Sequence, residues 1–317
     1  FNFWDKLMGQ LINGVWKKGS VSNNQKDGSF KRVDSVFRNE ISDNDKVYKP
    51  EKNRYHLYVS YACPWAHRTL IFRHLKKLEN HISVDYVHPD MLENGWSFSN
   101  DFPKTTGDSL HFKSYIHEIY QLSDKKVSSK ATVPILWDKK TSTIVNNESA
   151  EIIRIMNSSF NKITKNFDDY YPSKLRTEID KINKITYENI NNGVYKSGFS
   201  KTQSAYEDAV TKLFSSLEMV DNILEGKEYL VGNQLTEADI RLIPTLLRFD
   251  SVYHVHFKCN LKKISEFKNI SNYVKKLFNI PAINSTTDFD HIKRHYYFSH
   301  ESINPNRIIP LGPEIPF

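Results

Sequence analysis

The sequence predicts two parts in order, an α/β domain followed by an all-helical one. Three observations carry this. A strand-like run from Tyr55 to Ser60 leads through Cys63-Pro64 into a helical pattern and then a second strand. Further on, Ile135 to Val145 reads as two strands, and a helix starts at Asn146-Asn147-Glu148-Ser149. From about residue 173 apolar side chains recur at helical spacing almost without a break.

Residues 1 to 50 are polar, rich in Asn, Lys and Ser, with scattered anchors at Trp16, Phe30 and Phe37. They read as an N-terminal extension, with an irregular start over residues 1 to 7 ahead of Met8. Beyond Cys63, the spacing of Ile71, Leu75 and Leu78 predicts a helix to about Glu79, and Ile82 to His88 the next strand. Residues 89 to 130 form a long irregular insertion, broken by a short helix around Phe112 to Leu122. Stretches of that length are uncommon unless they serve a function. Val133-Pro134 then precedes strands at Ile135 to Trp137 and Ile144-Val145, and the following helix ends near Asn157. A β-α-β unit joined to a β-β-α unit, with cysteine at the first helix start and proline before the third strand, describes a thioredoxin-like domain over residues 51–157. A linker (158–172) leads to a helical domain with a C-terminal tail (173–317). Its first helix carries Leu175, Ile179, Ile182 and Ile185 and is expected to end at Asn192-Gly193. A second carries Val210, Leu213, Leu217, Val220 and Leu224, and helix returns over roughly residues 265 to 280. Thr236-Glu237-Ala238-Asp239 opens a third, with Thr236 as cap and Asp239 reaching back to the cap's own N–H.

Composition narrows the function. At 317 residues the chain can bury a sizeable core. Its net charge of +7 comes from basic residues spread among acidic ones, so nucleic-acid binding is not expected. No apolar run is long enough to cross a bilayer, and the first residues lack a secretory pattern. The two cysteines, Cys63 and Cys259, lie far apart, which predicts free thiols and a cytoplasmic setting.

Cys63 is the candidate nucleophile. A thiol at a helix start faces the N–H groups of the first turn, which favour its negative form, and Pro64 costs that turn no needed donor. Ala66 stands where a second cysteine would complete a redox pair, so any mixed disulfide must be released by an outside thiol. Cys259 has no comparable setting and reads as structural. His291 and His295 are four apart, but no third ligand lies at a fixed spacing, so no metal is expected.

The ordered set Ala62-Cys63-Pro64-Trp65-Ala66-His67-Arg68, Glu93-Asn94-Gly95-Trp96, Thr132-Val133-Pro134, Asn147-Glu148-Ser149, Asn192-Gly193-Val194-Tyr195, Phe257-Lys258-Cys259-Asn260 and Asp290-His291-Ile292-Lys293 resembles the glutathionyl-hydroquinone reductases, the Xi class of glutathione transferases. The likeness runs from about Met8 nearly to the C-terminus. It implies glutathione as co-substrate, with no metal, flavin or nicotinamide, and a homodimer. Cys63 would take glutathione from a glutathionyl-hydroquinone. Val133, ahead of a cis-Pro134, would pair strand-like with the extended tripeptide. Glu148 and Ser149 at a helix start would receive its γ-glutamyl end. Lys130 would supply the basic group just before Thr132, keeping an arginine's charge without its planar fork. Trp96 would wall the pocket. Tyr195 would act as proton donor and acceptor, and Tyr253 and Tyr296 would lie near the sulfur and the aromatic substrate. Two other readings share the fold: an omega-like thioltransferase or dehydroascorbate reductase, and a non-catalytic binding module.

Overall fold

The computed structural model describes residues 9–19 and 25–313. The irregular start expected for residues 1 to 7 lies outside them. By internal packing the chain forms two units. The first comprises Asp34–Asp168 and Thr286–Ile308 together with residues 9–19; the second comprises Asp169–Ser285 with residues 25–33 and 309–313.

The first unit opens with a hairpin of β1 (Gln10–Ile12) and β2 (Val15–Lys17), joined by Asn13-Gly14 with both residues at positive φ. The main sheet holds β3 (Tyr55–Val59), β4 (Ile82–Tyr86), β7 (Ile135–Asp138) and β8 (Thr143–Asn146) in the order β4-β3-β7-β8. β3 runs parallel to β4, while β3–β7 and β7–β8 are antiparallel. All five residues of β3 are buried, as a central strand covered on both faces requires. Helix α1 (Pro64–Leu75) makes the parallel crossover and packs on α3 (Ser149–Ser158). It stops at Leu75 rather than near Glu79, because Lys76 leaves helical geometry and Lys77 takes positive φ.

The long insertion is more ordered than its sequence suggests. It contains the small hairpin β5 (Met91–Leu92) and β6 (Gly95–Trp96), then α2 (Ile116–Ser123). The expected linker holds one short helix, α4 (Asn161–Thr164).

In the second unit, α5 (Arg176–Thr186) does not end at Asn192-Gly193. It continues through a π segment (Tyr187–Asn191), in which Asn192 N–H donates to Tyr187 C=O at 2.9 Å, into α6 (Gly193–Gly198). Gly193 keeps an ordinary helical φ, so it does not reverse the chain. There follow α7 (Gln203–Ile223) and α8 (Glu237–Arg248), whose start carries the expected capping box: Thr236 N–H donates to Asp239 Oδ2 at 2.8 Å. A second π segment (Phe249–Tyr253) leads into α9 (His254–His256), then come α10 (Lys268–Phe278) and α11 (Pro281–Asn284). The stretch expected as a tail contains α12 (Phe289–Ser299), and it belongs to the first unit. No helix among the described residues is long and apolar enough to cross a membrane.

Candidate active site

In the first unit the chain leaves β3 through a tight turn, Cys63 N–H donating to Ser60 C=O at 3.3 Å and Ala62 N–H to Ser60 Oγ at 3.2 Å. The turn delivers Cys63 as the N-cap of α1, with extended φ and ψ of −77° and 118°. Its carbonyl accepts from His67 N–H at 2.9 Å, while its side chain makes no capping bond. The thiol thus lies beside the positive end of α1. It donates to Val133 C=O at 3.5 Å and is 8% exposed. The Val133–Pro134 bond is cis, as expected.

Glu148 and Ser149 divide their task differently from the usual pattern of a capping serine. Glu148 is the N-cap of α3, its carboxylate accepting from Ala150 N–H at 3.1 Å and from Ser35 Oγ at 3.2 Å. Ser149 is the first helical residue; its hydroxyl donates to Glu148 Oε1 at 3.4 Å and accepts from Arg68 Nη1 at 3.5 Å. Arg68, one turn into α1, is buried with its guanidinium 4.5 Å from the Trp65 ring centroid. A fixed positive charge therefore sits beside a helix start that also carries a carboxylate.

Tyr120 on α2 ties the flanking strands of backbone together. Its hydroxyl donates to Thr132 C=O at 3.0 Å and accepts from Asn147 Nδ2 at 2.9 Å, linking the approach to Val133 with the approach to Ser149. Lys130 is half-buried on that same approach. Trp96 is 6% exposed and stacks on His295 at 4.6 Å; His295 is fixed in turn by Nδ1–H donating to Pro89 C=O at 2.8 Å. Tyr296, the next residue on α12, is buried edge-on to His295 and His300. His291 bonds Pro103 C=O at 2.6 Å through Nε2, and burial pushes its imidazole pKa down. These histidines hold α12 in place. Among the described residues no cluster of three His, Cys, Asp or Glu side chains is placed to bind a metal.

Tyr195 and Tyr253 lie in the second unit, their ring centroids 6.1 Å apart, and both pack on Phe257 at 5.5 Å. Tyr195 is on α6, within a helical turn and not beyond a helix end, and Tyr253 closes the second π segment. Tyr195 thus follows one π segment and Tyr253 ends the other, and such segments often mark functional positions. Arg32 stacks over the Tyr195 ring at 5.2 Å and donates through Nε to Asn192 Oδ1 at 2.8 Å. Cys259 is fully buried, and burial pushes its thiol pKa well up, which suits an inert structural residue.

Sequence reasoning missed Arg68, Tyr120 and Arg32 as supports. Arg68 stood inside the cysteine motif and was open to notice. The others reach their partners only through the fold.

The chain matches the glutathione S-transferase N-terminal domain over residues 62–159 and the C-terminal domain over residues 203–276. It is 50% identical over 313 residues to glutathionyl-hydroquinone reductase YqjG of Escherichia coli (strain K12), covering 96% of this chain and 95% of that protein. This chain belongs to the glutathionyl-hydroquinone reductases. Among solved structures of this Xi class, the glutathione transferase Xi of Phanerochaete chrysosporium superposes with a TM-score of 0.89 at 51% identity, covering 92% of this chain and 95% of that one. The glutathione-bound structure of Escherichia coli YqjG gives 0.88 at 48% identity, covering 96% of each chain. A fold of thioredoxin-like and helical glutathione transferase parts is thereby shown.

Proposed function

We propose that this chain is a glutathione-dependent reductase that removes glutathione from glutathionyl-hydroquinones. The observation that carries the reading is the place of Cys63, which is the N-cap of α1 and holds its thiol against the Val133 carbonyl ahead of cis-Pro134. The family membership supports the substrate, and the glutathione-bound relative supports the co-substrate.

In the first step the Cys63 thiolate attacks the glutathione sulfur. A Cys63–glutathione S–S bond forms, the sulfur–ring bond breaks, and its electron pair goes to the ring carbon. That carbon takes a proton, for which Tyr195 is the assigned donor. In the second step the thiolate of a second glutathione attacks the mixed disulfide, forming glutathione disulfide and returning Cys63 as thiolate. One glutathione thiol and the sulfur of the ring-bound glutathione end as one disulfide, and the ring carbon, reduced by two electrons, exchanges sulfur for hydrogen. Ala66 leaves no internal thiol at the usual resolving position, and buried Cys259 is unsuited to that part.

For glutathione, the reading assigns the Val133 backbone to strand-like pairing along the tripeptide. Ser149 and the first N–H groups of α3, backed by Arg68, suit its γ-glutamyl carboxylate, and the Glu148 carboxylate suits the neighbouring ammonium. Lys130 is assigned a glycyl-end or carbonyl contact and Trp96 the covering wall. Tyr253 and Tyr296 are assigned to the sulfur and the aromatic ring. A homodimer in the cytoplasm completes the reading, with no resident metal, flavin or nicotinamide.

The test is direct. After incubation with a glutathionyl-hydroquinone, intact mass should show one added glutathionyl group, and tryptic mapping should place it on Cys63. A second dose of glutathione should remove it. Cys63→Ser should abolish both adduct and turnover, and an active Cys63→Ser variant would refute the scheme. Comparable efficiency on a simple glutathione mixed disulfide would instead favour a general thioltransferase.

A further inference from the structure

We infer that the N-terminal hairpin β1–β2 is a brace for the two segments proposed to hold glutathione, with Trp16 as its positioning residue; this rests on the assignment of Trp96 and Lys130 above. The hairpin grips both segments at once. On one side, Leu11 and Ser129 exchange backbone hydrogen bonds at 2.9 and 3.0 Å, immediately before Lys130. Gly14 N–H donates to Val127 C=O at 2.8 Å, Asn13 N–H to Ser128 Oγ at 2.8 Å, and Gln121 Nε2 to Gly14 C=O at 2.7 Å. On the other side, Trp16 Nε1–H donates to Glu93 C=O at 3.2 Å, and Lys18 pairs with the Glu93 carboxylate at 2.8 Å. The Trp16 ring covers Gly95, where an added Cβ would lie 3.3 Å from it, and stacks on His117 of α2 at 4.5 Å. Gly95 is the residue before Trp96 and pairs with Leu92 in the small hairpin.

A plain core-covering role fits poorly. Ile12 and Val15 of the hairpin point outward and are exposed, so little apolar surface is removed from water apart from Leu11 and one face of Trp16. What the hairpin supplies is a set of directional bonds to residues 93–95 and 127–129. Such bonds fix backbone position, and a binding group displaced by a fraction of its contact distance loses much of its effect.

The experiment compares Trp16→Ala, Trp16→Phe and Gly14→Ala with the unaltered enzyme. The last would drive a Cβ to 1.8 Å from Lys125 C=O at a φ of +75°, so it loosens the brace from its other end. Trp16→Ala and Gly14→Ala should raise the KM for glutathione about tenfold with kcat nearly unchanged, while Trp16→Phe, which keeps the stack on His117 but loses the N–H bond to Glu93, should fall between them and the unaltered enzyme. Alkylation of Cys63 by iodoacetamide should proceed at the wild-type rate. Hydrogen exchange at residues 91–97 and 127–131 should quicken in the two disruptive variants without any ligand present. Unchanged exchange there, or a wild-type KM in Trp16→Ala, would overturn the brace. Equal losses in KM, kcat and alkylation would mean general destabilisation and would overturn it as well. If the unaltered protein forms no glutathione adduct at Cys63, the proposed function falls, while exchange still decides whether the hairpin holds these segments.

Discussion

Ser149 shows how one hydroxyl can answer to two neighbours of opposite charge. It donates to the Glu148 carboxylate and accepts from the Arg68 guanidinium, so it is pre-oriented between an anion and a cation. Ser149→Ala should therefore weaken glutathione binding by about 1–2 kcal/mol, roughly the worth of one hydrogen bond to a charged group. Saturation kinetics on glutathione would report it as a KM effect. Cys259→Ser should leave most turnover intact, because that sulfur is sealed between Val194 and Phe257 carbonyls; loss of activity in a fully folded variant would contradict its structural role. Cys63 was legible at this scale since a strand, a cysteine, a proline and a helix are contiguous. Tyr120 was not. Its partners Thr132 and Asn147 lie beyond a loop and two strands, and nothing local marks a tyrosine for such a bond.

At the scale of single elements, local chemistry was a good guide where the terminating signal was strong. The Thr236–Asp239 box is such a case, and Thr236→Ala should cost about 1–2 kcal/mol, read as a lower midpoint in urea. The π segment before α6 is the counter-example. Asn-Gly usually stops a helix, yet here Asn192 N–H bonds back to Tyr187 C=O and Gly193 keeps a helical φ, so the chain widens by one residue and proceeds. An Asn-Gly pair permits a stop and does not compel one. Gly198, at the end of α6, makes a related point. A helical glycine replaced by alanine ordinarily gains up to about 1 kcal/mol. Here the new Cβ would sit 2.3 Å from the Phe257 ring, against which Tyr195 and Tyr253 both lean. Gly198→Ala should thus destabilise the protein and lower turnover of a glutathionyl-hydroquinone more than adduct formation with a simple disulfide.

Over the whole molecule, the buried pair of Arg54 and Asp138 anchors the start of β3 to the end of β7 through two bonds of 2.8 and 2.6 Å. Burial alone would raise the Asp138 carboxyl, but the Arg54 fork and the Thr141 hydroxyl hold it below the ordinary value. Its pKa in the folded state is therefore lower than in the unfolded chain, so its stabilisation is complete above the unfolded value of about 4 and fades as pH falls through the folded one. Asp138→Asn should cost about 3 kcal/mol at pH 7, and the gap between variant and wild type should close in acid. Thermal melts across pH 3 to 7 would follow it.

The two-part architecture was readable from periodicity, but the place of α12 was not. Its helix opens beyond the last clear repeat, and the contacts that fix it on the first unit are distant in sequence. Arg294 pairs with Asp90 through two bonds of 2.7 Å, Met91 N–H donates to Ser299 Oγ at 2.9 Å, and His67 of α1 bonds Thr286 Oγ1 at 3.1 Å. A fragment ending at residue 168 should accordingly fail to give a protease-resistant core. Because His67 of α1 is made long before Thr286, the helix behind Cys63 meets this partner only after the whole intervening helical unit has been synthesised, and α1 must hold its place meanwhile by its bonds to the sheet and to α3.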